Sequence, residues 1–328
     1  MSRFKVEKAV RQKLKAAVTI IGASGSGKTL SALMLAYGLM KKKYPDMSDE
    51  LIWEKIGLVD TEHERGKIYV DMVFNGVKIG NFQYINFTPP YDVDGYDEAQ
   101  RLLVQQGCEV VILDSISHAW EGEGGMLELQ QDYGGTFQSW KKVNPHYRKF
   151  IDVVTGVRNN VHTISTIRAK QDYQVSRSEV DGKLEVIKLG LKPVQRDSLE
   201  YEMQVVFNID MKHIATVSKD NTGGFFEKPR VITPEDGGIL YEWLEVGEDI
   251  FKKREEERNN YIKFIRQMGQ ELGEPLQKFI AELEEKAKTS VEDMKLEWLE
   301  KAYELVNNKM KQLEKQKQGE SKNGGNKE

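Results

Sequence analysis

The chain has a single cysteine, Cys108, among 328 residues, so it cannot close an internal disulfide. That usage fits a reducing cytosol, and Cys108 itself, just before an apolar strand, reads as a small packed residue rather than a nucleophile. No apolar run approaches the ~20 residues needed to span a bilayer, so no membrane association is expected. Met1 to Lys15 is basic but lacks the apolar centre of a secretory signal. No internal repeat is present. Positive charge is not in excess either: the net charge is −4, so any nucleic-acid site has to be a local patch. A hydrophobic content of 39% with 30% charged residues suits a globular chain carrying a charged helical portion.

What the sequence does have is Gly22-Ala23-Ser24-Gly25-Ser26-Gly27-Lys28-Thr29, a complete G-x-x-x-x-G-K-[ST] phosphate-binding pattern. Ala16 to Ile21 before it reads as a buried strand, and Thr29 to Leu39 after it reads as a helix. Strand, glycine loop and helix form the setting in which backbone N–H groups make an anion nest at a helix N-terminus. Glycines let the backbone approach phosphate oxygens. Lys28 is expected to neutralise β- and γ-phosphates, and the Thr29 hydroxyl to meet Mg²⁺. The cofactors expected are therefore ATP and Mg²⁺, bound by Gly22 through Thr29 with Leu30.

Further strands are predicted at Ile56 to Val59, Phe82 to Phe87, Glu109 to Leu113 and Val161 to Ile167, and helices at Asp97 to Gln106 and Pro145 to Val157. The five glycines between residues 121 and 135 predict a loop. Residues 168–198 read as a long loop or a small hairpin. Leu199 to Ile209 and His213 to Ser218 read as neighbouring antiparallel strands, and Ile239 to Leu244 as a terminal helix. Phe4, Val6 and Val10 suggest a short edge strand, with Lys5 and its neighbours on a solvated face. The expected fold is α/β, a mostly parallel sheet flanked by helices. Residues 1–247 form its core, 248–315 a helical appendage with apolar residues at helical spacing, and 316–328 a disordered polar tail.

Asp114 ends an apolar strand, where a parallel sheet presents ligand groups, and is expected to hold Mg²⁺ through water. Glu62 stands just beyond another strand end in D-T-E-H and is the candidate base for the attacking water. His63 beside it reads as a turn residue.

In order, G-A-S-G-S-G-K-T, V-D-T-E-H, V-V-I-L-D-S and S-T-I-R-A-K resemble the RecA-type ATPase core. More closely, D-T-E-H-E-R-G (60–66), D-S-I-S-H-A-W-E-G-E-G-G (114–125), G-G-T-F-Q-S-W (134–140) and I-R-A-K-Q-D-Y (167–173) resemble the phage-encoded RecA-like ATPases of single-strand annealing systems. The resemblance covers about Phe4 to Leu244. It implies a RecA-like fold, Mg²⁺-dependent and weak ATP hydrolysis stimulated by DNA, and work on single-stranded DNA in the cytoplasm of a bacterial host. It also implies a homo-oligomer and a single-strand-binding or annealing protein as partner. Thr166 takes the place of the glutamine that often senses the γ-phosphate in such proteins. Arg168 and Lys170 open the loop that contacts DNA, and Lys219 resembles the base offered across subunits to a neighbour's ATP. Asn221 stands where a second such base often occurs.

From the residues themselves, the DNA candidates are Arg168, Lys170, Tyr173 and Arg177, followed by Lys183, Lys188, Lys192 and Arg196. An aromatic among basic groups suits a single strand, although Asp172, Glu179, Asp181 and Glu185 dilute the charge. Trp120 and Trp140 flank the glycine-rich stretch and read as packing anchors. Two other functions stay open: a P-loop small-molecule kinase, and an ATP switch that loads a partner through the C-terminal helices.

Overall fold

The computed structural model describes Val6, residues 8–177 and residues 184–323. Phe4, Lys5, Glu179, Asp181 and Lys183 lie outside these, as do the side chains of Tyr173, Arg177, Glu185 and Lys188. In chain order the strands are β1 (Ala17–Gly22), β2 (Ile56–Asp60), β3 (Val73–Phe74), β4 (Val77–Lys78), β5 (Gln83–Asn86), β6 (Val110–Asp114), β7 (His162–Arg177), β8 (Leu184–Pro193), β9 (Val205–Ile209) and β10 (Ala215–Asp220). The helices are α1 (Lys28–Lys43), α2 (Asp49–Glu54), α3 (Val93–Gln105), α4 (His118–Glu121), α5 (Met126–Asp132), α6 (Trp140–Val154), α7 (Pro234–Leu244), α8 (Ile250–Leu272), α9 (Glu274–Ala287) and α10 (Leu296–Asn323). Residues 14–246 form one compact unit, and residues from Gly247 onward form another together with the stretch up to Lys13.

The main sheet runs β10-β9-β1-β7-β6-β2-β5, with β8 paired to β7. All neighbours from β9 to β5 are parallel, while β10 on β9 and β8 on β7 are antiparallel. Side chains alternate between the two faces of each strand. Val18, Ile20, Leu58 and Ile112 pack on one face with α1 and α7, and Ile21, Val59, Val111 and Leu113 on the other with α3 and α6. Both faces are covered, so the strands read as near-continuous apolar runs. Cys108 is buried in this core, and burial pushes its thiol up to about 12, as expected of a packing residue.

Register brings the functional strand ends to one level. Gly22 pairs with Arg168, Leu113 with Ser165, and Asp60 with Asp114. The stretch 121–135 is not wholly loop. Its glycines flank α5, whose Met126 and Gln130 are buried and supply the anchoring that the glycine count hides. Leu199 lies in a 3-10 turn (Asp197–Glu202) that precedes β9, so that strand begins later than expected. Residues 168–198 take the hairpin alternative: β7 continues past the core and returns as β8.

The C-terminal unit has its own core of Ile265, Leu276, Ile280, Leu299, Ala302 and Val306. Arg266 reinforces it, meeting Glu284 at 2.7 Å and both carboxylate oxygens of Glu292 at 2.8 and 2.7 Å. Disorder is expected from Gln316, but α10 continues to Asn323. The lysine, glutamate and glutamine of that stretch are good helix formers and prolong the helix past Gly319. No described helix is long and apolar enough to cross a membrane.

Two features of the core carry testable consequences. Helices α1 and α7 meet backbone to backbone through glycine: a Cβ on Gly237 would lie 2.2 Å from the Leu35 carbonyl oxygen. Gly237→Ala is expected to lower stability by about 1–3 kcal/mol, read by urea denaturation. His162 is fully buried, and its Nδ1 accepts the Ala16 N–H at 3.0 Å. Burial, with Lys15 and Lys43 adding to it, holds the imidazole well below its ordinary 6.5. Below about pH 6.5 the unfolded chain therefore takes up a proton that the native state refuses, and stability falls as pH drops. His162→Gln should flatten that dependence by up to about 1.4 kcal/mol per pH unit, measured by urea unfolding between pH 7.5 and 5.5.

Candidate functional site

The site lies at the C-terminal ends of β1, β6 and β2, level with Arg168 midway along β7, on the side where an open parallel sheet binds its ligands. A pocket of about 650 Å³ there is lined by Ser24, Gly25, Gly27, Lys28, Thr29, Leu30, Glu62 and Arg168, among others. Gly22, Ala23 and Ser26 of the loop are not among the lining residues. Gly25 and Gly27 take φ of +82° and +90°, the left-handed region that suits glycine. A Cβ on Gly27 would also come within 3.0 Å of His213 Nδ1. In this conformation Gly27 caps the start of α1.

The residues fit a magnesium-bound nucleotide. Ser26 Oγ is buried and makes no hydrogen bond among the described residues, which marks a polar group held by a ligand-shaped loop rather than by its own packing. Lys28 Nζ donates to the Ala23 carbonyl at 2.9 Å, and burial lowers its ammonium below the usual value against the pull of Glu62 and Asp114. Thr29 Oγ1 donates to Asp114 Oδ2 at 2.5 Å, which joins the two expected metal-binding residues directly. Thr166 Oγ1 donates to the other oxygen, Asp114 Oδ1. Burial pushes Asp114 up to about 6, while both threonine bonds work the other way. No group of three or more His, Cys, Asp or Glu capable of holding a metal is present among the described residues. One hydroxyl and one carboxylate beside a polyphosphate are what Mg²⁺ uses, since it retains much of its water.

Glu62 projects into the same pocket. Asp60 shapes its turn, accepting the Glu62 N–H at 2.6 Å and the Gly66 N–H at 2.8 Å. Arg168 Nε donates to Glu62 Oε1 at 2.7 Å. Burial would raise the Glu62 carboxyl, but this bond and the charges of Arg168 and Lys28 hold it below the ordinary carboxylate range. Thr61 Oγ1 sits 2.6 Å from His118 Nδ1 and accepts the Ser115 N–H at 2.9 Å, linking the β2 end to the β6 end.

Some expected residues fall elsewhere. Arg168, read from sequence as the start of a DNA loop, points into the pocket instead. Its even position on β7 gives it the same facing as Thr166. Lys170 pairs with Glu121 at 2.6 Å, outside the pocket. Lys219 lies within β10, and its Nζ donates to the carbonyls of Glu200 and Tyr201 at 3.2 and 2.6 Å.

The sequence also leaves out much of the pocket wall. His213, whose Nδ1 lies 2.9 Å from the Ser26 carbonyl oxygen, borders the phosphate loop because β9 lies beside β1. Its place three residues after Asp210, at the end of the turn, was the available clue. Tyr69, Phe74 and Val231 form an apolar side suited to a base, brought there by the 3-10 turn after β2, the β3–β4 hairpin and the segment before α7.

No curated protein matches the chain. The sequence profile described as the AAA domain matches residues 14–233. That domain implies ATP binding and hydrolysis with a magnesium-bound nucleotide, properties general to the family. Because the match takes in well over half of the chain and all of the pocket described above, this protein belongs to the AAA domain family of P-loop nucleoside-triphosphatases.

Proposed function

We propose that the chain is a Mg²⁺-dependent ATPase that acts on single-stranded DNA in phage recombination or replication. It works as a homo-oligomer, alongside a single-strand-binding or annealing protein. The observation that carries the ATPase reading is the convergence of Lys28, Thr29, Asp114 and Glu62 on one pocket. The longer strings that resemble phage recombination ATPases support the DNA reading, as do the basic groups of the β7–β8 hairpin.

Each residue has a role that follows from its chemistry. The Lys28 ammonium neutralises charge on the β- and γ-phosphate oxygens. Thr29 and Asp114 would hold Mg²⁺, which when bound would supply positive charge to offset that of the phosphates. Thr166 fixes the orientation of the Asp114 carboxylate. Glu62, kept ionised by Arg168, orients the attacking water and takes its proton. A water acceptor fits a carboxylate poised beside the phosphate loop, and it argues against the kinase alternative. Lys219 is the candidate contact to a neighbour's nucleotide.

Phosphate release by the wild type should need no added acceptor and should rise with single-stranded DNA. Lys28→Ala should lose roughly a hundredfold or more of it. Glu62→Gln should retain fluorescent-ATP binding while turnover drops by about 10²–10⁴. Hydrolysis that is indifferent to DNA, with no DNA bound at low salt in the presence of ATP, would sink the DNA reading and leave the ATPase. Arg168→Ala removes the group that lowers the Glu62 carboxyl, so burial then raises it. The acid limb of the pH–rate profile should accordingly move to higher pH; an unmoved limb would remove Arg168 from this role.

A further inference from the structure

We propose that the groove formed by Trp120, Phe137, Trp140, Lys141, Asn144 and Arg196 is a base-stacking platform for single-stranded DNA. The proposal rests on the DNA reading above and assigns it a surface on the core unit separate from the nucleotide pocket. The groove measures about 650 Å³. The rings of Trp120 and Trp140 stack on each other, with centroids 5.6 Å apart and planes at 17°. Both rings line the groove. Phe137 stands beside them with 91% of its surface exposed, an unusual state for a phenylalanine with no packing partner to gain. The Arg196 guanidinium lies over Trp140 at 5.8 Å and Tyr147 at 4.6 Å, and its Nη1 donates to Asn144 Oδ1 at 3.1 Å. These contacts hold it at the groove wall.

The electrostatics single out the occupant. The chain as a whole is acidic, yet residues 133–151 contain no aspartate or glutamate and hold Lys141, Lys142, Arg148 and Lys149. Lys149 is tied to Asp97 at 3.0 Å, and Lys142 lies over the Tyr133 ring at 5.1 Å. Lys141 and Arg148 are exposed and have no carboxylate partner among the described residues. Two turns apart on α6, they share a face with Asn144. A second depression of about 510 Å³ shares Trp120 and Arg196 and continues to Lys170 and Lys192 on the hairpin. Lys170 there is paired with Glu121 and Lys192 lies 3.8 Å from Asp197, so the uncompensated charge is that of Lys141 and Arg148. Aromatic rings, a guanidinium over one of them and these two exposed cations match a polymer that alternates planar bases with monoanionic phosphates. A duplex buries its base faces and could not use the aromatic part of the groove.

The test titrates the full chain, with ATP and Mg²⁺, against oligothymidylate of about twenty nucleotides, following tryptophan emission and anisotropy at several salt concentrations. The expected result is quenching that disappears in Trp120→Phe/Trp140→Phe. Phe137→Ala should bind about tenfold more weakly, the loss of one stacked base. Lys141→Ala/Arg148→Ala should reduce the slope of log K against log salt by about 0.7 per lost phosphate contact. An unchanged melting temperature of each variant shows that folding is intact. Wild-type binding that none of these variants alters, with tryptophan emission unmoved, overturns the platform, leaves the DNA reading standing through the hairpin, and is also the result a protein-docking groove would give. No binding by the wild type at low salt overturns both.

Discussion

A buried carboxylate sits where the molecule's strand ends meet, and much of the rest is arranged around it. Asp114 ends β6, receives one hydroxyl from α1 through Thr29, and receives another from β7 through Thr166. Its backbone carbonyl takes the Thr61 N–H at 2.7 Å, so β2 is tied in as well. A buried charge is tolerated only when it is richly bonded. That requirement fixes the relative height of the four elements that build the pocket. The parallel register of the sheet supplies that height, and the two threonines lock it.

The pocket is organised so that opposite charges share a small, half-dry space. Lys28, Glu62 and Asp114 are each shifted by burial and by charged or hydrogen-bonding neighbours. Asp60 contributes without facing the ligand, because its carboxylate spans the Glu62 and Gly66 amides and receives the Tyr84 hydroxyl at 2.9 Å. It folds the chain after β2 into a turn stiff enough to aim a carboxylate. Clustering of perturbed ionisable groups in a cleft is the physical hallmark of a working site.

The strands around the phosphate loop were legible because a sheet covered on both faces is built from apolar runs, here ending in Asp or Gly. The phosphate loop, Asp114 and Glu62 were legible because their neighbours in sequence are also their structural context. His213, Tyr69, Phe74 and Val231 were not, since they reach the pocket through strand adjacency and a hairpin that no local pattern encodes. Helix α5 hid behind its flanking glycines for a related reason: propensity describes the ends of the segment, while Met126 and Gln130 describe its burial. The aromatic pair Trp120 and Trp140 could be read as packing anchors, and they do pack. What the sequence could not show is that they pack on each other and leave faces at the surface.

Strand β7 carries a further consequence. Thr166, Arg168 and Lys170 alternate along it, and each meets a different carboxylate: Asp114, Glu62 and Glu121. Successive residues on one side of a strand are about 6.6–6.8 Å apart. The strand therefore works as a ruler, with its graduations set at the Asp114 carboxylate, the Glu62 carboxylate and the root of the hairpin. Sliding it by one residue would turn all three side chains away together. Insertions and deletions should thus be tolerated beyond Lys170, in the hairpin, and excluded between Ser165 and Lys170. The spacing between the chemistry and the outer surface is held by one uninterrupted stretch of backbone.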